Sequence, residues 1–101
     1  MKIELRKFGT TLISRQAGRE ALAAFRPLLK DIPEKETVEI DFEGVSTFSP
    51  SWGDEFLRPL NKEYGRRLIL LESSNLSVRL TLKVLEKTNK IKFNKTNKTI
   101  I

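Results

Sequence analysis

The sequence predicts an α/β domain in which a mixed sheet of about four strands is covered mainly on one face by three helices. Short segments of alternating or continuous apolar residues, rich in strand formers, predict the strands. Between them lie longer segments whose apolar residues recur every three or four positions, which is the spacing of an amphipathic helix. The length of 101 residues fits one domain, and alternating strands and helices favour crossover connections.

The amino-terminal segment predicts a β-hairpin. Residues 2–6 alternate between apolar and charged side chains, and residues 11–13 contain a second short apolar segment. Gly9 lies between them at a predicted turn, a pattern typical of two antiparallel strands. We therefore expect these two strands to pair with each other.

The first helix is predicted over residues 15–30, where apolar side chains recur with helical spacing. Ser14 precedes it as a predicted N-cap. Pro27 lies inside the pattern, so we expect the helix to kink there or to end at Phe25. A strand is predicted next, at residues 38–42, where charged and apolar side chains alternate.

A four-residue apolar repeat predicts the second helix and its buried face. The repeat consists of Trp52, Phe56, Leu60 and Tyr64. Gly65 follows at a plausible C′ position, and Pro59 is expected to kink or shorten the helix. The continuous apolar run at residues 67–71 then predicts a strand buried on both faces.

The segment from residue 75 to residue 89 fits both a strand and a helix. It alternates, but Leu76, Leu80 and Val84 are also four residues apart, which predicts an apolar helical face. Basic residues would then occupy the opposite face, namely Arg79, Lys83, Lys87 and Lys90. The alternation of strands and helices favours a third helix. Residues 1–93 are therefore predicted to form a single domain, followed by a polar tail at residues 94–101. The Lys-, Asn- and Thr-rich residues 91–101 also fit a weak edge strand.

Charge is unevenly distributed along the chain, which carries a net charge of +6. Lys and Arg outnumber Asp and Glu by seven to two in residues 1–30 and by ten to three in residues 61–101. In residues 31–60 the ratio is two to eight, so an acidic middle lies between two basic flanks. This pattern is typical either of ordinary solvated faces or of a surface that selects partners by charge.

The chain contains neither Cys nor His. This excludes disulfides, zinc sites of the Cys and His kind, thiol nucleophiles and imidazole bases. The first residues lack the apolar stretch of a signal peptide, and no apolar run reaches the length of a membrane span. We therefore expect a cytoplasmic, non-enzymatic domain with no cofactor, no metal and no membrane association.

The start of the second helix is the most informative segment. Ser49 followed by Pro50 fits an N-cap and a first helical residue, and Ser51 with Asp54 has the spacing of a capping box. These serines are either caps alone or regulatory hydroxyls, because a helix amino end favours phosphate. If the first two helices are neighbours, the interaction surface is predicted to include Arg15, Arg19, Asp54 and Glu55.

Two other function classes stay open at this stage. The carboxylates of Asp41, Glu43, Asp54 and Glu55 are candidates for a Mg²⁺ or nucleotide-binding site. The basic third helix and tail are candidates for a nucleic-acid-associated regulator. Nucleic acid is the less favoured partner, since residues 87–98 contain only one aromatic side chain, Phe93, for base stacking.

A motif across the middle of the chain resembles a known family. A strand ends in Asp-Phe-Glu-Gly-Val at residues 41–45, and after a spacer Ser51 is followed by an aromatic residue, Gly and then Asp-Glu at residues 54–55. This pattern resembles the STAS-like domains of unknown function, well over residues 9–60 and loosely over the last third. That family is similar in turn to the STAS domain of anti-sigma factor antagonists. The resemblance also implies that residues 75–89 form a helix.

The resemblance implies a regulatory protein-interaction module that switches partners. In the antagonists, an Asp-Ser-Ser-Gly-Leu motif opens a helix, and a kinase-like ATP-binding partner phosphorylates its first serine. Counting from Val45, the antagonist aspartate falls on Ser49, the phosphorylated serine on Pro50, the second serine on Ser51 and the glycine on Trp52. The acceptor position is thus not retained, and Ser51 is the nearest hydroxyl, with Ser49 the next.

Overall fold

The computed structural model describes residues 1–96, and within them it contains three α-helices and six strands. The strands are β1 (Lys2–Glu4), β2 (Thr11–Leu12), β3 (Val38–Asp41), β4 (Thr47–Phe48), β5 (Leu68–Leu70) and β6 (Asn94–Lys95). The helices are α1 (Arg15–Leu29), α2 (Pro50–Tyr64) and α3 (Leu76–Asn89). Short 3₁₀ turns lie at Leu5–Phe8 and Gly65–Arg67. The predicted α/β class and its three helices are confirmed.

The main sheet has the order β1-β3-β5-β6, and all its strands are parallel. Its strands bury alternate side chains on one face, namely Ile3, Val38, Ile40, Leu68 and Leu70. The opposite face carries Lys2, which is exposed, and Glu39 and Ile69, which are partly buried. The helices therefore cover one face, as predicted, whereas the expectation that β5 is buried on both faces is wrong.

The predicted amino-terminal hairpin and the mixed sheet are also wrong. β1 pairs in parallel with β3, with Ile3 opposite Ile40, and β2 pairs in parallel with β4, with Leu12 opposite Phe48, in a separate two-stranded sheet. The 3₁₀ turn between β1 and β2 buries Leu5 completely and prevents the tight reversal that a hairpin needs. Local alternation predicts a strand, but it does not determine which strand becomes its partner.

Aromatic side chains fill the space between α1, α2 and the 3₁₀ turn. Trp52 stacks on Phe56 with ring centroids 4.9 Å apart, and Phe8 lies 5.4 Å from Phe56 and 6.2 Å from Phe25. Trp52, Phe56 and Leu60 are all essentially inaccessible to solvent. The predicted buried face of α2 is therefore confirmed. These rings fix the position of α2 and hence of its amino end.

Both helices that contain an internal proline continue through it. α1 extends to Leu29 although Pro27 lies within it, so the expected end at Phe25 is wrong. Pro27 removes the hydrogen bond to the carbonyl group of Ala23, but both residues are exposed, so water can satisfy that carbonyl. α2 likewise contains Pro59 and reaches Tyr64 before Gly65.

α3 forms over the predicted range but presents the opposite face to the core. Its buried side chains are Val78, Thr81, Leu82 and Leu85, whereas Leu76, Leu80 and Val84 are exposed. The hydroxyl of Thr81 donates to the carbonyl oxygen of Phe48 at 2.6 Å, and the backbone N–H of Phe48 donates to the hydroxyl of Ser77 at 2.8 Å. α3 thus satisfies the free edge of β4, which explains why a polar residue lies on its buried face.

The last edge of the main sheet is formed by residues for which the sequence left a tail and a weak edge strand open, and the structure shows the edge strand. Asn94 and Lys95 pair with Ile69 and Leu70, and Phe93 is buried just before them. The sheet therefore extends beyond the predicted domain end at residue 93. The remainder of the predicted tail, residues 97–101, lies outside the described residues.

Candidate functional site

The hydroxyl of Ser49 determines how α2 begins. Its oxygen accepts a hydrogen bond from the backbone N–H of Trp52 at 3.3 Å, and it donates to the carbonyl oxygen of Ile13 at 2.6 Å. Pro50 is the first helical residue, as predicted. Ser49 therefore caps α2 and also links it to the segment that leads into α1.

Gly18 allows α1 to approach α2 closely. A Cβ atom added at Gly18 would lie 2.6 Å from the carbonyl oxygen of Trp52, so only glycine fits at this crossing. The approach places the first turns of the two helices side by side. As a result, Arg15 and Arg19 of α1 reach α2. The sequence analysis missed this role, because an isolated glycine in a helical pattern does not reveal what it contacts.

The four residues predicted to form an interaction surface lie together and pair across the two helices. One guanidinium nitrogen of Arg15, Nη1, donates to Asp54 at 2.9 Å and to Glu55 at 2.7 Å. Nε of Arg19 donates to the other carboxylate oxygen of Glu55 at 3.3 Å. We call Arg15, Arg19, Asp54 and Glu55 the α1–α2 charge cluster. Their proximity depends on the helices being neighbours, which the structure shows.

Two further side chains contact Asp54, and sequence analysis did not identify either of them. Arg58 lies one turn along α2, with its Nε 3.2 Å from the carboxylate of Asp54. The side-chain amide of Asn89, at the end of α3, donates to the same carboxylate oxygen at 3.4 Å. The four-residue spacing of Asp54 and Arg58 is a usable sequence signal, whereas no local pattern places Asn89 there.

These contacts shift the pKa values of the cluster. Partial burial acts to raise the pKa of Asp54, but the hydrogen bond from Arg15 and the charge of Arg58 outweigh it, so the pKa lies below its usual value. The hydrogen bond from Arg15 is the main reason that the pKa of Glu55 is also lowered. Hydrogen bonds to Asp54 and Glu55 raise the pKa of Arg15. All three groups are therefore charged at neutral pH.

Ser51 lies inside the first turn of α2 and is only partly buried. The predicted capping box of Ser51 and Asp54 is wrong, because Ser49 is the cap and Ser51 is the second helical residue. Among residues 1–96, no hydrogen bond involves the hydroxyl of Ser51. Asp54 and Glu55 follow three and four residues later, so Ser51 shares their side of the helix.

Of the other two candidate carboxylates, that of Asp41 has its own partners away from the α1–α2 charge cluster. Asp41 lies 3.5 Å from the ammonium group of Lys2 and accepts a hydrogen bond from the backbone N–H of Glu43 at 3.0 Å. Asp54 and Glu55 are held by arginines. Within the described residues, no group of three or more acidic side chains is arranged to hold a metal ion. The same part of the chain contains no helix that is both long and apolar enough to cross a membrane.

A parallel sheet with helices on one face, and a capped helix that begins directly after a short strand, define a small α/β domain of the STAS-like class. The chain belongs to the family described as STAS-like domain of unknown function (DUF4325), whose family model matches residues 23–90. This confirms the resemblance. The match extends through α3, beyond the segment where the motif is clear, and it begins after Arg15 and Arg19. No curated protein and no solved structure matches the chain.

Proposed function

We propose that this domain is a cytoplasmic, non-enzymatic regulatory module that binds a protein partner through the amino end of α2. The contact surface is the α1–α2 charge cluster, and Ser51 is its control point. The observation that carries the proposal is the hydroxyl of Ser51, which has no hydrogen-bond partner in residues 1–96 and lies one turn before two carboxylates held by arginine.

Phosphorylation of Ser51 would alter this surface strongly. A phosphate adds about −1.5 to −2 charges at pH 7. The positive end of the α2 helix dipole favours it, whereas the carboxylates of Asp54 and Glu55 repel it. Arg15 is shared between those two carboxylates. The phosphate would compete with the carboxylates for Arg15 and so change the charge pattern that a partner meets.

Ser49 is a poorer acceptor than Ser51. Its hydroxyl already makes two hydrogen bonds, one that caps α2 and one to the carbonyl oxygen of Ile13. A phosphate there would remove the donor that joins α2 to the segment before α1. Modification of Ser49 would therefore disturb the fold, while modification of Ser51 would change only the surface.

The packing of Gly53 also supports Ser51. A Cβ atom at Gly53 would lie 2.9 Å from a methyl group of Leu85 and 3.1 Å from the ring of Phe48, so a larger residue there would force these side chains to move. When the antagonist motif is aligned on this glycine instead of on Val45, its phosphorylated serine coincides with Ser51. By this resemblance we propose that the partner is a kinase-like ATP-binding protein.

Phosphate transfer in an extract of the source cells tests the proposal. The purified chain and its Ser51→Ala and Ser49→Ala variants are incubated with the extract and labelled ATP. We expect label in the parent and in Ser49→Ala, the matched control, but none in Ser51→Ala. Label that persists in Ser51→Ala, or no label in any of the three, contradicts the proposal.

A quantitative pull-down with Ser51→Ala and Ser51→Glu as baits tests the switch itself. Both variants should fold, because alanine removes no cap and a carboxylate is favourable at a helix amino end. We expect a protein that the parent and Ser51→Ala retain to be depleted at least about tenfold on Ser51→Glu, which corresponds to about 1.4 kcal/mol. Equal retention by all three baits contradicts the switch.

A further inference from the structure

The outer face of α3 carries an apolar ridge that is exposed to solvent. Leu76, Leu80 and Val84 are 67%, 52% and 46% exposed, respectively. They are four residues apart, so they form one row about 12 Å long on a single side of the helix. The core is already packed by the opposite side of α3, through Val78 and Leu85 among others. We call Leu76, Leu80 and Val84 the α3 ridge.

Three basic side chains accompany the ridge on the exposed side of the helix. At 100° per residue, Arg79, Lys83 and Lys87 form a row next to the ridge, so the prediction that they occupy the face opposite to this apolar row is wrong. None of the three forms an ion pair with another described residue. The one acidic residue of α3, Glu86, is directed elsewhere, since it binds Lys95 at 3.0 Å and accepts from the backbone N–H of Phe93 at 2.9 Å. The surface is thus apolar and cationic, with no internal neutralisation in residues 1–96.

The spacing and chemistry of the α3 ridge indicate which kind of partner binds it. Side chains in steps of four form the row that fits into the groove of another helix in the commonest class of helix packing. An anionic membrane surface would favour a wider apolar face with aromatic anchors, and the ridge is narrow and aliphatic. The unpaired cations lie along one flank of the ridge and therefore favour acidic residues beside the incoming apolar row. We propose that the outer face of α3 docks an acidic amphipathic helix of a partner protein.

This surface is separate from the amino end of α2. α3 contacts α2 through its buried side, where Leu85 lies against Gly53, and the ridge points away from that contact. A helix bound at the ridge therefore leaves the α1–α2 charge cluster accessible. The inference goes beyond the proposed function and stands without phosphorylation of Ser51.

The test uses a synthetic amphipathic helix of about 20 residues, with leucine in steps of three and four and glutamate on both flanks. Its affinity for the full chain is measured by calorimetry, and the contact is mapped by backbone amide chemical shifts. We expect a dissociation constant below about 1 mM, with the shifts concentrated at residues 76–87. Leu80→Asp should weaken binding about tenfold or more, because it removes a buried leucine contact and repels the acidic flank.

Leu28→Asp is the matched control, because Leu28 is 59% exposed but lies on α1. It should leave the affinity within about twofold of the parent. A peptide in which lysine replaces every glutamate should not bind, since the basic side chains of α3 repel it. Absence of binding at about 1 mM peptide, or equal loss in Leu80→Asp and Leu28→Asp, contradicts the proposal.

Three further measurements distinguish other occupants. Vesicles containing about 30% phosphatidylserine test a membrane, sedimentation equilibrium tests a second copy, and a chain ending at Thr96 tests the carboxyl-terminal segment. We expect no vesicle binding, a monomer, and unchanged peptide affinity. The proposal is overturned if the chain binds vesicles or self-associates and Leu80→Asp abolishes that binding, because the occupant is then the membrane or a second copy. It is also overturned if truncation raises the peptide affinity at least tenfold, because the carboxyl-terminal segment then occupies the ridge.

Discussion

The α1–α2 charge cluster contains arginines, and the α3 ridge is accompanied by Arg79, Lys83 and Lys87, but the two sets of cations have different partners. At the α1–α2 charge cluster, arginines of one helix meet carboxylates of the other, at 2.7 to 3.3 Å. At the α3 ridge, exposed aliphatic side chains lie among cations that pair with no described residue. The α1–α2 charge cluster joins the basic first segment of the chain to its acidic middle, whereas the cations beside the α3 ridge belong to the basic last segment. The arginines of the α1–α2 charge cluster are already paired, so a modification must release them before this surface changes. The cations beside the α3 ridge have no partner in the described residues, so they are available to a binding partner.

The position of the α1–α2 charge cluster depends on the aromatic packing beneath it. Trp52 is 1% exposed, and its ring stacks on Phe56. Trp52→Ala should therefore lower the free energy of unfolding by about 3–5 kcal/mol, measured by chemical denaturation. Leu28→Ala, at an exposed site, serves as the control and should change it by less than about 0.5 kcal/mol. A loss below about 1 kcal/mol for Trp52→Ala would show that the ring is not part of the core.

The close approach at Gly18 is what places the arginines of α1 against the carboxylates of α2. Gly18→Ala forces a methyl group against the carbonyl oxygen of Trp52, so the helices must separate. We expect a loss of about 1–3 kcal/mol in the free energy of unfolding, although alanine favours a helix over glycine. Ala24→Ser, at an exposed position of α1, is the control. A gain in stability for Gly18→Ala would mean that the helices do not touch there.

The two surfaces should also differ in their response to acid. The folded-state pKa values of Asp54 and Glu55 are lowered, mainly by Arg15. Their contribution to stability is therefore complete above the pKa values of the unfolded chain and is lost as the pH falls through the folded-state values. Arg15→Ala should cost stability at pH 7, and the cost should shrink below about pH 4. The stability change caused by Lys83→Ala should not depend on pH in this range. If Lys83→Ala and Arg15→Ala gave the same pH profile, the two surfaces would not differ in this respect.

The smallest effect is expected at the α3 ridge. Leu80→Ser removes a side chain that is 52% exposed and packs outside the core. The free energy of unfolding should change by less than about 0.5 kcal/mol, as followed by thermal denaturation. A loss above about 2 kcal/mol would indicate that Leu80 is buried in the free protein, and the ridge would then not be available to a partner.

Local chemistry made some of these features predictable. The caps Ser14 and Ser49 were identified from residue type and position, and both accept the expected backbone hydrogen bonds. The buried face of α2 followed from its four-residue apolar repeat. The proximity of Arg15 to Glu55 followed from the fold class once α1 and α2 were taken as neighbours. For the caps and the buried face of α2, the signal lies within one helix or at its end.

Features that depend on distant partners were not predictable. β1 pairs with β3 and β2 with β4, because a strand's alternation does not encode its neighbour. α3 carries two apolar rows, and the one that includes Val78 and Leu82 is buried because Thr81 and Ser77 on the inner side bind the edge of β4. Period alone could not choose between the rows. Asn89 reaches Asp54 only through the tertiary fold.

The most direct measurement of the central claim is the titration of the carboxylates of Asp54 and Glu55 by carbon NMR. It compares the parent with a chain that carries phosphoserine at residue 51. If the phosphate takes Arg15 from these carboxylates, both pKa values rise toward or above their usual range, because a cation is lost and an anion is added. The NMR chemical shifts of Leu76, Leu80 and Val84 should be the same in the parent and in the phosphorylated chain. Unchanged carboxylate pKa values in the phosphorylated chain would contradict the account.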